Sequence, residues 1–145
     1  MRRLALLVAV LALASCGGST MGGASGASAD AQVTFSPDPL QVGPVTWTVT
    51  VTNDTSDDLK LTFGTGQRAD VTLSRGGQAA YQWSRGMLFT QMVEDVTVPA
   101  GGNKAFTLDE PGLDVDPGEY TLTARVTASN RTYLKVTRQV TVRGH

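Results

Sequence analysis

Val45-Thr46-Trp47-Thr48-Val49-Thr50-Val51-Thr52 decides the fold of this chain. Every second residue is apolar and every residue between is threonine. Successive side chains of an extended strand point to opposite faces, so this stretch predicts a strand with one buried face and one threonine face.

The same period of two runs outward from it. Asn53-Asp54-Thr55-Ser56-Asp57-Asp58 is a turn cluster. Leu59, Leu61 and Phe63 then alternate with Lys60 and Thr62, and Gly64-Thr65-Gly66 ends that strand. Val71 and Leu73 make a short strand closed by Gly76-Gly77, and Tyr81 and Trp83 share a face of the next. Val96 and Val98 lead to Pro99 and the turn Ala100 to Asn103. Phe106 and Leu108 follow, and Asp109 to Gly118 reads as an acidic, proline-containing loop. Tyr120, Leu122, Ala124 and Val126 form the inner face of a long strand, and Ser129-Asn130-Arg131 is a hairpin signal. Leu134, Val136, Val140 and Val142 finish the chain; Arg138 interrupts their face, which implies a bulge or an exposed edge. Short strands at this spacing, with turns between and no amphipathic helix, predict an all-β chain folded as an antiparallel β-sandwich. Asp116-Pro117-Gly118-Glu119-Tyr120 resembles the start of a late strand in Ig-like domains, where a tyrosine returns its hydroxyl to the backbone.

The N-terminus reads differently. Arg2 and Arg3 precede an apolar run from Leu4 to Leu13, too short to span a bilayer, and Leu13-Ala14-Ser15-Cys16 follows. Leucine, two small residues and a cysteine resemble a bacterial lipobox. That pattern implies a signal peptide over 1–15, cleavage before Cys16 and diacylglycerol on its thiol, so that the mature protein is tethered to a membrane without crossing it. Gly17 to Ala31 is small and polar and reads as a flexible tether reaching about 20 Å. The expected domains are therefore a leader at 1–15, a lipidated cysteine and linker at 16–31, and one sandwich at 32–145. The expected location is the extracytoplasmic side of a bacterial envelope.

Composition bounds the function. The 145-residue chain carries 12 basic and 13 acidic residues, a net charge of −1. Arg2 and Arg3 leave with the leader and no acid does, so 10 basic residues face 13 acidic ones and the mature charge is −3. Such a balance argues against nucleic acid and offers no polybasic patch to anionic lipid. One cysteine allows no internal disulfide, so packing alone must hold the core.

Asn53 to Tyr120 resembles the BsuPI-type proteinase inhibitor domain, a family named for an intracellular inhibitor of a bacterial serine protease. The matching pieces, in order, are Val51-Thr52-Asn53-Asp54-Thr55, then Leu61-Thr62-Phe63-Gly64-Thr65-Gly66-Gln67-Arg68 with Asp70. Tyr81-Gln82-Trp83-Ser84 follows, then Gly86 with Phe89-Thr90-Gln91, and last Pro117-Gly118-Glu119-Tyr120. Ala69 replaces a frequent tyrosine of the family and Tyr81 its first tryptophan. The resemblance implies an Ig-like sandwich and proteinase inhibition.

The residues themselves read mainly as structure. Trp47, Phe63, Tyr81, Trp83 and Phe89 are expected in the core. Gln67, Asp70 and Gln91 are expected to satisfy backbone groups where the chain leaves the sheet, and Gly64, Gly66 and Gly86 to supply turns. Catalysis lacks a base beside a nucleophile, because His145, the sole histidine, is terminal. No His/Cys cluster suits zinc, and Asp109, Glu110, Asp114, Asp116 and Glu119 do not form a calcium loop of the EF-hand type. No enzyme, cofactor or metal is expected. The expected function is a lipid-anchored binding module that inhibits a protease, its contact residues drawn from Gly64, Gly66, Gln67 and Arg68, from Ser84, Arg85, Gly86 and on to Leu88, or from the Asp109–Gly118 loop. The alternatives are a non-inhibitory lipoprotein docking on another envelope protein, and a ligand-binding aromatic face around Trp83.

Overall fold

The structure, a computed structural model, describes residues 28–145. The leader at 1–15, Cys16 and most of the tether lie outside the described residues. Among those residues the chain forms strands and no helix: β1 (Ala29–Ser36), β2 (Gly43–Asn53), β3 (Leu59–Phe63), β4 (Ala69–Arg75), β5 (Gln78–Gln82), β6 (Glu94–Val98), β7 (Asn103–Leu113), β8 (Gly118–Val126) and β9 (Lys135–Val142). They make one sheet in the order β1-β2-β7, a second in the order β5-β4-β8-β9, and a ribbon of β3 with β6. All these pairings are antiparallel. The fold is the expected all-β, Ig-like sandwich.

Val45 to Thr52 forms the middle of β2, whose apolar face is buried throughout. Its central position explains that burial. Trp47 lies opposite Phe35 of β1 on one side and Leu108 of β7 on the other. Across the core it meets the second sheet, which contributes the buried Val71, Leu73, Leu122 and Ala124. Trp47 is also the polar link between the sheets. Its indole N–H donates to the Tyr81 hydroxyl at 3.3 Å, and that hydroxyl donates to the Glu110 carboxylate at 2.9 Å. The rings of Trp47 and Tyr81 lie 6.1 Å apart, and Phe35 meets Trp47 edge-on at 5.9 Å. Burial pushes the Tyr81 phenol well above its ordinary range; the Trp47 bond opposes the shift and Glu110 adds to it.

Two turns are fixed by side chains. Asn53 is buried at the end of β2, and its amide nitrogen donates to the carbonyls of Asp57, Val98 and Pro99 at 2.9, 3.0 and 3.2 Å. Its oxygen accepts from the Thr55 N–H and hydroxyl. One amide thus closes the β2–β3 turn and binds it to the end of β6. At the start of β8 the Tyr120 hydroxyl donates to the Asp116 carbonyl at 2.6 Å, the corner expected of Asp116–Tyr120, with the Arg75 guanidinium 4.2 Å from the ring centroid. Gly118 has φ +141°, and a Cβ there would come within 2.5 Å of that guanidinium.

Strand edges are treated individually. The Asn130 side chain accepts from the Thr62 N–H at 2.9 Å and donates to the Lys60 carbonyl at 3.0 Å, while the Ser129 N–H donates to the Thr62 carbonyl at 2.8 Å. The β8–β9 loop so covers the outer edge of β3 in place of another strand. On the exposed face of that ribbon, Thr62 and Lys60 hold the Asp95 carboxyl below its usual range. Arg138 sits on β9, an edge strand, opposite Leu122 and without a register shift. Its guanidinium lies 4.8 Å from the centroid of the Phe35 ring. Arg138 therefore marks an edge and not a bulge.

Four expectations need correction. β1 starts at Ala29, so Ala29 to Ala31, assigned to the linker, are strand, with Ala29 and Ala31 buried. β7 runs on to Leu113, so the first half of the expected Asp109–Gly118 loop is strand. Trp83 lies in the turn beyond β5. The connection from Thr127 to Leu134 is longer than a tight hairpin, and Leu134 returns to the core.

Replacing Asn53 by alanine is expected to destabilise the domain by about 2–3 kcal/mol, because buried carbonyls lose their donor; the urea midpoint measures this, and Asn53→Asp, which sets an acceptor against those carbonyls, should be no better. Tyr81 gives a pH prediction. Its anion is disfavoured only in the folded state, so the folded protein holds the proton that the unfolded chain releases above the ordinary value of 10.0. Stability should therefore fall as pH rises past about 10. Absorbance titration at about pH 11 should show no loss of ionising tyrosine in Tyr81→Phe while folded, and a clear loss in urea.

Candidate functional site

β4 begins where the chain turns inward, and this places Asp70 almost wholly out of water. A buried carboxylate is costly unless its oxygens are occupied. Here they are. Oδ2 accepts from Gln82 Nε2 and from the Ser84 hydroxyl, both at 2.7 Å, and Oδ1 accepts from the N–H groups of Ser84 at 3.1 Å and Val71 at 3.0 Å. The Arg125 guanidinium approaches at 3.9 Å. Asp70 thereby grips the point where β5 ends and the 83–93 connection begins. The Trp83 N–H donates to the Val71 carbonyl at 2.9 Å, and its indole N–H donates to the Asp109 carbonyl of β7 at 3.0 Å.

The far side of that connection is held as firmly. The Gly66 N–H donates to the Thr90 carbonyl at 2.8 Å. A Cβ on Gly66 would fall 2.6 Å from the Thr90 hydroxyl, so glycine is needed for close approach. Phe89 packs on Trp83 with centroids 6.0 Å apart. Arg68 donates to the Thr65 carbonyl at 2.9 Å, pairs with Glu94 of β6, and lies 4.6 Å from the Phe63 centroid. Gly64–Arg68 and the 83–93 connection are thus one surface.

Between its two anchors the connection projects into solvent. Arg85 and Met87 turn back on Gln82 and Ser84 through N–H to carbonyl bonds of 3.1 and 3.0 Å, with Gly86 at φ +79°. Leu88 is 99% exposed, Met92 61% and Val93 73%, beside the partly exposed Met87 at 39%. Among the described residues, four of the five large hydrophobic side chains left exposed belong to this one loop.

A groove of about 430 Å³ runs beside the loop, lined by Arg68, Trp83, Phe89, Val96, Phe106 and Leu108 among others. Its origin is topological. β6 and β7 are joined by a tight turn, the Gly102 N–H meeting the Pro99 carbonyl at 2.8 Å, yet they pair with different partners and share no ladder. Each therefore turns an unpaired edge toward the gap.

Of the expected contact residues, Gly66, Gln67, Arg68, Ser84, Arg85 and Gly86 lie on or beneath this surface, and the Asp109–Gly118 stretch does not form a third loop on it. Gln67 donates to the Ala69 carbonyl and Asp70 accepts from the Ser84 and Val71 N–H groups, so both satisfy backbone groups as expected; Gln91 reaches the Phe89 carbonyl only at 3.4 Å. Gly64 has neither positive φ nor a close neighbour, and nothing in the structure explains it. Trp47 and Phe63 are fully buried, whereas Tyr81, Trp83 and Phe89 are only half-buried. Met87 and Leu88 fall in the expected Ser84–Leu88 loop, whereas Met92 and Val93 were not legible as a surface, since apolar residues in sequence signal burial. No group of three or more His, Cys, Asp or Glu side chains gathers among the described residues.

Asp70→Ala is expected to lower stability by about 3 kcal/mol, since the hydrogen bonds it removes are to a charged acceptor. Hydrogen exchange should locate the effect, with the Ser84 amide gaining more than amides of β8.

Among solved structures, the chain is similar to Spo0M, a sporulation control protein from Bacillus subtilis, with a TM-score of 0.50 and 11% identity over 81% of this chain and 50% of that one. It is also similar to the CARDB domain of the PF1109 protein from Pyrococcus furiosus, with a TM-score of 0.40 and 16% identity over 80% of this chain and 86% of that one. The chain spans half the length of Spo0M, and these likenesses concern fold alone. No curated protein matches it. The sequence model of BsuPI, the intracellular proteinase inhibitor family, matches residues 28–131, from before β1 to the loop ahead of β9, and the chain belongs to that family.

Proposed function

We propose that this protein is an exported, lipid-anchored proteinase inhibitor whose contact surface is the 83–93 loop. The observation that carries the loop assignment is Leu88, 99% exposed between two anchored ends. An exposed leucine has no role in the packing of its own domain, and a proteinase that cleaves after apolar residues offers a pocket for such a side chain. Preorganisation favours tight binding, because a loop already ordered pays little entropy on docking. With no disulfide available, Asp70, the Gly66–Thr90 bond and the Trp83–Phe89 pair do the stiffening. The unpaired edges of β6 and β7 extend the surface, since an extended segment of a partner can add to a free strand edge.

Family membership supports inhibition, and the arrangement Arg2-Arg3, Leu4–Leu13 and Leu13-Ala14-Ser15-Cys16 supports export and anchoring. The partner is then an extracytoplasmic protease, met at the surface of the envelope. No catalytic role is proposed for any residue of the chain.

Residues 28–145 titrated against subtilisin should inhibit it at micromolar concentration or below. Leu88→Ala should weaken inhibition roughly 30-fold, as expected from losing about 2 kcal/mol of buried leucine, with the thermal midpoint unchanged. Full activity of subtilisin and of other apolar-directed serine proteases at micromolar protein would defeat the inhibitor reading. Radiolabelled palmitate should enter the whole chain and not Cys16→Ala; failure to label either would defeat the anchor.

A further inference from the structure

Sulfur is confined to one place on the described surface. Met87 and Met92 are the only methionines among the described residues, Met1 and Met21 lying outside them. The core of the sandwich holds neither; it is built from valine, leucine, alanine and aromatic side chains. Both thioethers stand on the loop that carries Leu88, one on each side of it, at 39% and 61% exposure. Exposed thioethers are the ones that oxidants reach, and oxidation replaces a flexible apolar side chain with a polar one.

We infer that Met87 and Met92 form an oxidation-sensitive site that switches off the contact surface. The inference rests on the inhibitor reading of the loop. The oxidant class is a peroxide. A sulfur lone pair attacks one oxygen of hydrogen peroxide, the O–O bond breaks and an S–O bond forms. Sulfur gives up two electrons and becomes the sulfoxide, and the departing hydroxide takes up the other proton and leaves as water. The loop keeps its course, because its anchors contain no sulfur: the Asp70 bonds to Gln82 and Ser84, the Gly66–Thr90 bond and the Trp83–Phe89 contact are all unaffected. What changes is the surface offered to a partner, where an apolar patch gains sulfoxide oxygens that must be desolvated on binding. The change is reversible, since methionine sulfoxide reductases restore the thioether.

The full chain, purified in detergent, is treated with hydrogen peroxide, mapped by peptide mass and titrated against subtilisin. Both methionines should gain one oxygen in the folded protein, and inhibition should weaken about tenfold or more, as expected when an apolar contact is lost. Reductase treatment should restore it. Inhibition by the double variant Met87→Leu/Met92→Leu, compared with that variant's own untreated value, should be insensitive to peroxide. Undiminished inhibition by the fully oxidised parent, or equal loss in the double variant, overturns the switch while leaving the inhibitor reading intact. Absence of inhibition by the untreated protein overturns both.

Discussion

The packing of two sheets around Trp47 is the constraint on which everything else hangs. The chain has a single cysteine, so no internal crosslink shares the work. Trp47 sits at the middle of the only strand of its sheet that is paired on both sides, and it touches Phe35, Tyr81 and, through Tyr81, Glu110. Burial of such a side chain is worth several times an ordinary surface contact. Its one polar atom is satisfied within the same cluster, so the gain carries no desolvation penalty. The tyrosine hydroxyl passes that hydrogen bond on to β7, which makes the apolar core and the polar link between the sheets a single structure.

The proposed contact surface is built on this body by a second kind of interaction. Asp70 is buried because β4 is buried, and a buried carboxylate must collect donors. It collects them from Gln82 and Ser84, the residues at which the chain leaves the sheet. The order of causes matters. The strand positions the acid, the acid fixes the root of the loop, and the loop can then leave Leu88 in water without becoming slack. Gly66 completes the arrangement from the other side, because only the absence of a side chain lets two loops come within hydrogen-bonding distance.

Much of the sandwich was legible because alternation survives in most strands. Val45–Val51, Leu59–Phe63 and Tyr120–Val126 read directly as they fold. Where alternation is carried by small or polar residues it disappears from view. Ala29 and Ala31 face the core, but alanine alternating with serine and aspartate looks like tether. Asp109, Glu110, Pro111 and Gly112 look like loop, yet β7 is an edge strand of its sheet, and an edge tolerates a proline that a central strand does not. The β2–β7 register does slip between Gly43 and Val45, opposite this stretch. The site was half visible. Polar residues beside apolar strands pointed to Asp70 and Gln67, and Ser84 to Leu88 stood out as a candidate loop, whereas Met92 and Val93 gave no sign of exposure, and only the finished topology shows that no sheet is left to receive them.

Arg138 has a consequence beyond its own strand. A free sheet edge invites another chain to continue the ladder, and proteins held at high density are the most exposed to that hazard. On β9 a guanidinium stands on the inward face, its charge laid against Phe35. A neighbouring copy extending the sheet there would have to cover that charge with apolar side chains of its own. Crowded molecules can therefore jostle along this flank without polymerising through it.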